Sequence, residues 1–278
     1  MNSDPQTTVI KLGGNAVSSL HFSPQLAQSL AQLHLAARNR NQRLVIVHGG
    51  GRSVDQQLER ANITPTRYEG LRVTPTEHLP FITAAIVGET ASTLEAALLA
   101  AGAPAIATTL HGSGILCQPH PLAEQLGSVG VIAPNARPNR LNALLDHSLL
   151  PVIACVGATA QGNLLNINAD DAATGIARIT HAASLILLTD VPAVLDKQHN
   201  PIRNLTPDHA EELINDRTIT QGMIPKVRAA IDAANAINAP VTITSWEEEL
   251  STGSPAGTTI SPSIANASQT PSTAAATA

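Results

Sequence analysis

Thr8-Val9-Ile10-Lys11-Leu12-Gly13-Gly14 and Leu44-Val45-Ile46-Val47-His48-Gly49-Gly50-Gly51 are the two stretches that decide the fold. Each is a short apolar run that stops at glycines, and each is followed by a helical pattern. Ser23 and Pro24 supply a cap and a first-turn residue for a helix to about Ala37, and a second helix runs from Ser53 to about Arg60. Strand, glycine turn, helix, twice over, is the rhythm of a parallel sheet wrapped by helices. Further strands are expected at 105–109, 152–156, 185–188, 241–244 and 258–260, and helices at 76–101, 169–180, 207–214 and 226–237. Residues 64–69 read as a weakly extended hairpin arm. The pattern predicts a three-layer αβα sandwich on an open, mostly parallel sheet. Its lobes are expected at 1–180 and 181–260, with a disordered Ser/Thr/Ala/Pro-rich tail at 261–278.

Composition narrows the function classes. Of 278 residues 43% are apolar, enough for a full core, yet the only aromatics are Phe22, Tyr68, Phe81 and Trp246. The core is therefore expected to be aliphatic. A net charge of −5 with no basic run argues against a nucleic-acid partner, whose phosphates need a positive footprint. No wholly apolar run reaches the roughly 18 residues of a membrane span. The first residues lack the basic-then-apolar order of a signal peptide, and Cys117 and Cys155 have no metal-like spacing. A cytoplasmic protein with reduced thiols is expected.

Sixteen basic residues include only three lysines, Lys11, Lys197 and Lys226, so each invites a reason. Lys11 sits on a strand end beside Gly13 and Gly14, where bare backbone amides can approach a phosphate. Alone, that glycine pair is an ordinary turn. Lys226 follows Gly222-Met223-Ile224-Pro225 at a helix start, where its charge opposes the helix dipole and calls for a counter-ion. Lys197, between Asp196 and Gln198, reads as a surface residue.

The His48 to Gly51 string also matches the oxyanion-hole loop of some esterases. That reading needs a G-x-S-x-G elbow, and Ser128 has Leu126 where the first glycine belongs. His48 itself reads as a packed structural histidine. Gly112-Ser113-Gly114 meets Cys117 where a dinucleotide fingerprint needs Gly or Ala, and no Gly-Lys dipeptide offers a Walker A loop. Asn166-Ile167-Asn168-Ala169-Asp170-Asp171 reads by itself as a turn and cap before a helix. Arg72, in Gly70-Leu71-Arg72-Val73-Thr74-Pro75, has the fork to clamp a carboxylate, although a lone arginine is more often a surface residue.

In this order, the runs 9–14, 44–51, 70–75, 166–174, 188–190 and 222–227 together resemble the amino acid kinase family, across roughly residues 8–260. The resemblance implies an N-terminal lobe for an acylated amino acid and dimerisation, and a C-terminal lobe for ATP. It implies that Lys11 and Lys226 flank the transferring phosphoryl group and that Asp170 orients both lysines. Gly13, Gly14 and Gly49 would cradle phosphate, with Gly50 and Gly51 beside the reacting groups. Arg72 and Asn166 would hold the acceptor, while Asp190, Gly222 and Met223 would border the nucleotide. The implied reaction is phosphorylation of the side-chain carboxylate of N-acetyl-L-glutamate by ATP, in arginine biosynthesis. Mg²⁺ would arrive with the nucleotide, with no protein metal site, and a homodimer is expected. The alternatives are a family member acting on a related carboxylate, such as an aminoadipate derivative, or a silent ligand-binding homologue.

The chemistry suits those residues. A glutamate side chain, with a reference pKa of about 4.3, is already an ionised nucleophile at neutral pH, so no general base is required. Alignment and charge neutralisation on the phosphoryl oxygens remain to be supplied.

Overall fold

The computed structural model describes residues 5–14, 16, 23–220, 222–245 and 257–263. In chain order the first strands are β1 (Gln6–Leu12), β2 (Gln42–His48), β3 (Arg67–Tyr68), β4 (Leu71–Arg72), β5 (Ala105–Thr109), β6 (Cys117–Pro119) and β7 (Val129–Ile132). They are followed by β8 (Leu150–Ala154), β9 (Val156–Ala158), β10 (Leu164–Ile167), β11 (Ser184–Thr189), β12 (Asn204–Leu205), β13 (Val241–Ser245) and β14 (Thr258–Ile260). The α-helices are α1 (Pro24–Asn39), α2 (Gly51–Arg60), α3 (Leu79–Thr83), α4 (Ser92–Ala100), α5 (Ala123–Leu126), α6 (Asn139–Asp146), α7 (Ala169–Ile179), α8 (Pro207–Asn215) and α9 (Ile224–Ile237).

Eight strands form the main sheet in the order β12-β14-β13-β11-β1-β2-β8-β5, with every pair parallel except β13 and β14. Side chains alternate between two buried faces, so strands of this sheet read as unbroken apolar runs. Val9, Val45, Val47, Leu185 and Leu187 join one core with residues of α7 and α9. Ile10, Leu12, Leu44, Ile46 and Leu188 join the other with α1 and α4. The expected αβα sandwich is the observed one, and its core is aliphatic.

Helix starts follow the local chemistry. The Ser23 hydroxyl accepts from the Leu26 amide, with Pro24 in the first turn of α1. Thr206 caps α8 in the same way ahead of Pro207. At its other end α9 stops at Asn238, held left-handed at φ 51°.

Three local features differ from expectation. The helix expected at 76–101 is one helical run, Thr76–Ala100, in which a π-helical stretch, Ala84–Ala91, separates α3 from α4. By length and composition alone this run is long and apolar enough to cross a membrane, the one such helix among the described residues. Here its inner side, with Ile82, Ile86, Leu94 and Leu98, is core. The strand expected at 152–156 divides at Cys155. Its amide donates to the His48 carbonyl (3.1 Å), and its carbonyl accepts from the Ile167 amide (3.0 Å). The chain thereby passes from the main sheet into a smaller one, ordered β6-β7-β10-β9. The hairpin arm lies slightly later than expected, with Arg67 opposite Arg72 across β3 and β4.

The expected lobe boundary at residue 180 falls between α7 and β11, yet β11 pairs directly with β1 and the sheet is continuous. Of the expected tail, Ser263 donates its amide to the Asn235 side chain (2.8 Å), and 264–278 lies outside the described residues.

Candidate active site

The parallel sheet brings its chemistry to one edge. Leu12 is in register with His48, so the glycine loops that end β1 and β2 emerge side by side. Ligands of open α/β sheets bind outside such carboxyl ends. The two loops nearly touch. Gly51 has φ +40°, and a Cβ there would lie 2.9 Å from the Gly14 Cα, so backbone meets backbone. A Cβ on Gly50 would collide with Val54 and with Ile86 of the π-helical stretch. Gly50 and Gly51 open α2 with no side-chain cap among the described residues, so their amides stand at the positive end of the helix dipole.

A cleft of about 170 Å³ opens over these loops. That suits a small acceptor, being below the roughly 300–1,000 Å³ of drug-sized pockets. Lys11, Gly14, Gly49, Gly50 and Gly51 line it together with Arg72, Asn166 and Asp170, so eight predicted site residues meet in one place. Lys11 Nζ lies 2.9 Å from Asp170 Oδ1, with the lysine side chain only 13% exposed. Asp170 is held there by α7, whose N-cap Asn168 accepts from the amides of Asp170 (2.8 Å) and Asp171. Neighbouring Asp171 has its pKa raised, mainly by burial and then by the Asp170 charge.

Arg72 is not a surface residue. Its side chain is 9% exposed, its Nη1 donates to Asp55 Oδ1 (2.5 Å), and its Nη2 donates to the Gly51 carbonyl (3.3 Å). Asp55 also pairs with Arg67. Asn166, on β10, donates to the buried Thr74 hydroxyl (3.0 Å), which presents its amide at the cleft wall. Asp55 escaped the sequence reading; its only signal was an acidic residue one turn into the helix that follows the glycines.

Gly13 lies behind the cleft, its amide donating to the Leu188 carbonyl (2.9 Å) and tying the β1 loop to β11. Asp190 and Lys226 form a second pair, and Gly222 and Met223 directly precede α9, which carries Lys226. Lys226, in the first turn of α9, places Nζ 2.6 Å from Asp190 Oδ1, just past β11. This hydrogen bond holds the Asp190 carboxyl below its ordinary pKa. The counter-ion that Lys226 called for is therefore Asp190. One expectation is corrected: among the described residues Asp170 pairs with Lys11 alone, and a separate carboxylate serves Lys226. Gly222 has open space around its Cα, and α9 begins without a side-chain cap. Lys197 pairs with Asp216 on the surface, as its setting suggested.

His48 is fully buried, its Nδ1 against the Gly49 carbonyl (3.1 Å), and burial lowers its pKa to about 4. A neutral, packed histidine is the structural role expected. Both cysteines are buried and free, and burial raises both pKa values, that of Cys117 to about 11. Among the described residues no group of three His, Cys, Asp or Glu side chains is placed to hold a metal ion.

Parallel strands that bring two glycine loops and Lys11 to one sheet edge, where α9 adds Lys226, are the frame of an α/β phosphotransferase. The chain belongs to the amino acid kinase family, whose model matches residues 6–245. It is 38% identical over 259 residues to an acetylglutamate kinase of Vibrio vulnificus (strain CMCP6), covering 91% of this chain and 96% of the relative. It is 40% identical over 239 residues to the acetylglutamate kinase of Edwardsiella ictaluri, covering 86% and 90%. Among solved structures, the protein smu.665 of Streptococcus mutans UA159 superposes with a TM-score of 0.74 at 27% identity, over 92% of this chain and 99% of that one.

Proposed function

We propose that the chain transfers the γ-phosphoryl group of ATP to the side-chain carboxylate of N-acetyl-L-glutamate, giving N-acetylglutamyl 5-phosphate and ADP in arginine biosynthesis. The observation that carries this reading is the one cleft that Arg72 and Asn166 share with the Lys11–Asp170 pair. The Arg72 fork, already aimed by Asp55 and the Gly51 carbonyl, suits a bidentate carboxylate. Asn166 offers an amide to the acetamido end. Such anchoring holds an ionised nucleophile in line with the phosphoryl group, which is most of what this chemistry requires.

Lys11 and the amides at the start of α2 would neutralise charge as it develops on the phosphoryl oxygens. Lys226 would do so from the nucleotide side, where Asp190, Gly222 and Met223 border ATP. Gly14 and Gly49, with Gly13 behind them, would let backbone come close to the phosphates. Asp170 holds Lys11 in place. Mg²⁺ would be held by the nucleotide phosphates and would neutralise their charge. In this reading residues 1–180 bind the acceptor and 181–260 bind ATP, in a cytoplasmic homodimer. The outward face of the Thr76–Ala100 run, with exposed Phe81 and Leu99, is apolar enough to pack a second copy.

A coupled ADP-release assay across N-acetyl-L-glutamate, free glutamate, N-acetylaspartate, an N-acylated aminoadipate and carbamate tests the proposal. Turnover should be highest by at least tenfold in kcat/KM for N-acetyl-L-glutamate. Preference for another acceptor would displace the substrate assignment, and absence of turnover with all five would leave a ligand-binding homologue.

A further inference from the structure

A second crevice lies at the opposite end of the sheet, where β2 and β8 begin rather than end. It is lined by the end of α1, the α1–β2 turn and the α6–β8 turn, with a volume of about 250 Å³. At its wall stands His34, 4% exposed, whose two ring nitrogens make no close hydrogen bond among the described residues, although the Ser148 backbone is near enough to raise its pKa. A buried polar group left without a partner costs on the order of 1–3 kcal/mol, and such groups call for an explanation.

The surrounding charge points to one. Arg38 and Arg43 both line the crevice, against a single carboxylate among the described residues, Asp146. That carboxylate is bound to Arg43, whereas Arg38 has no acidic partner among the described residues. Burial, and then the Arg38 charge, lower the His34 pKa, so at neutral pH the ring is uncharged and carries one N–H donor. Among the described residues, a guanidinium with no carboxylate partner, a second only partly neutralised, and an imidazole with no close hydrogen bond converge on a small space. Nothing in the kinase reading employs them, and the glycine loops lie at the other end of β2.

We propose that this crevice is a separate binding site for a compact oxyanion, a phosphate or small carboxylate group, held by Arg38 and Arg43 and hydrogen-bonded to His34. Arg38 supplies the two-pronged contact, Arg43 shares its charge between Asp146 and the ligand, and the imidazole N–H satisfies a third oxygen lone pair. The group has an acceptor for every unused donor, which an uncharged apolar ligand lacks.

The direct test is the His34 ring resonance, assigned by its loss in His34→Gln and followed by NMR while inorganic phosphate or malonate replaces chloride at constant ionic strength. The expected result is a saturable shift in the wild-type chain and also in Lys11→Ala, which separates this site from the kinase cleft. Arg38→Gln should weaken the affinity at least tenfold while leaving kcat unchanged. Tighter binding of phosphate than malonate assigns the site to phosphoryl ligands, and the reverse assigns it to carboxylates. No saturable shift with either anion, or equal affinity in Arg38→Gln, would overturn the proposal.

Discussion

The Lys226–Asp190 pair lies on one side of β1 and the Arg72–Asp55 pair on the other, with Lys11–Asp170 between them. Three cations at one sheet edge are thus each held by its own carboxylate. An arrangement of this kind fixes long side chains before substrate arrives, so less ordering remains to be done on binding. In the proposed reaction it would separate two anions by function, with the acceptor beyond β2 and the nucleotide beyond β11.

Asp190→Asn should therefore act on the nucleotide side. The carboxyl is more than half exposed, so its loss should scarcely change stability. Its influence lies in aiming Lys226. Steady-state kinetics should show KM for ATP rising severalfold with KM for the acceptor nearly constant. An equal rise in both would place Asp190 outside the nucleotide site.

Arg72→Lys should raise KM for the acceptor far more than for ATP. Lysine keeps the charge but not the fork, and a hydrogen bond to a charged group is worth about 1.5–3 kcal/mol. The expected loss in acceptor affinity is then roughly 10- to 150-fold. Equal effects on the two substrates would remove Arg72 from the acceptor site.

Two glycines with positive φ separate backbone strain from collision. At Gly70, φ +82° with nothing within 4 Å, alanine should cost only the strain of the left-handed region, about 1–2 kcal/mol. At Gly51 alanine adds a collision with the Gly14 backbone, so urea unfolding should show a larger loss and turnover should fall sharply. If Gly51→Ala were as stable as Gly70→Ala, the close approach of the two loops would be wrong.

His48 makes a prediction in pH. Its pKa falls from 6.5 to about 4 on folding, so between those values the unfolded chain holds the extra proton. Stability therefore declines as pH falls from about 6.5 towards 4, by at most about 1.4 kcal/mol per pH unit for one proton. His48→Gln should be less stable at neutral pH but show a shallower decline over that window. Parallel pH–stability curves for wild type and variant would contradict a neutral buried ring.

Much of this was legible in the sequence because it is local. Apolar runs ended by glycines gave the central strands, proline beside a capping residue placed the start of α1, and a lysine-poor composition singled out Lys11 and Lys226. What stayed hidden depends on contacts between distant segments. Asp55 becomes the partner of Arg72 only once the β3–β4 hairpin folds over α2, and Lys226 meets Asp190 across 36 residues. The division of a strand at Cys155 is set by its bonds to His48 and Ile167, and neither leaves a local mark. The π-helical stretch is likewise invisible in apolar periodicity, which reads Thr76–Ala100 as one helix.

In the proposed mechanism Lys11 and Lys226 stabilise the transferring phosphoryl group, each from its own side of the sheet edge. Its most direct test is kcat at saturating ATP and N-acetyl-L-glutamate for Lys11→Ala and Lys226→Ala, with Lys197→Ala as the surface control. Removing a group that acts in the transition state typically costs about 10²–10³ in kcat. The account predicts a fall of that order for each of the two site lysines and near-normal turnover for the control. Near-normal kcat in Lys226→Ala would contradict it.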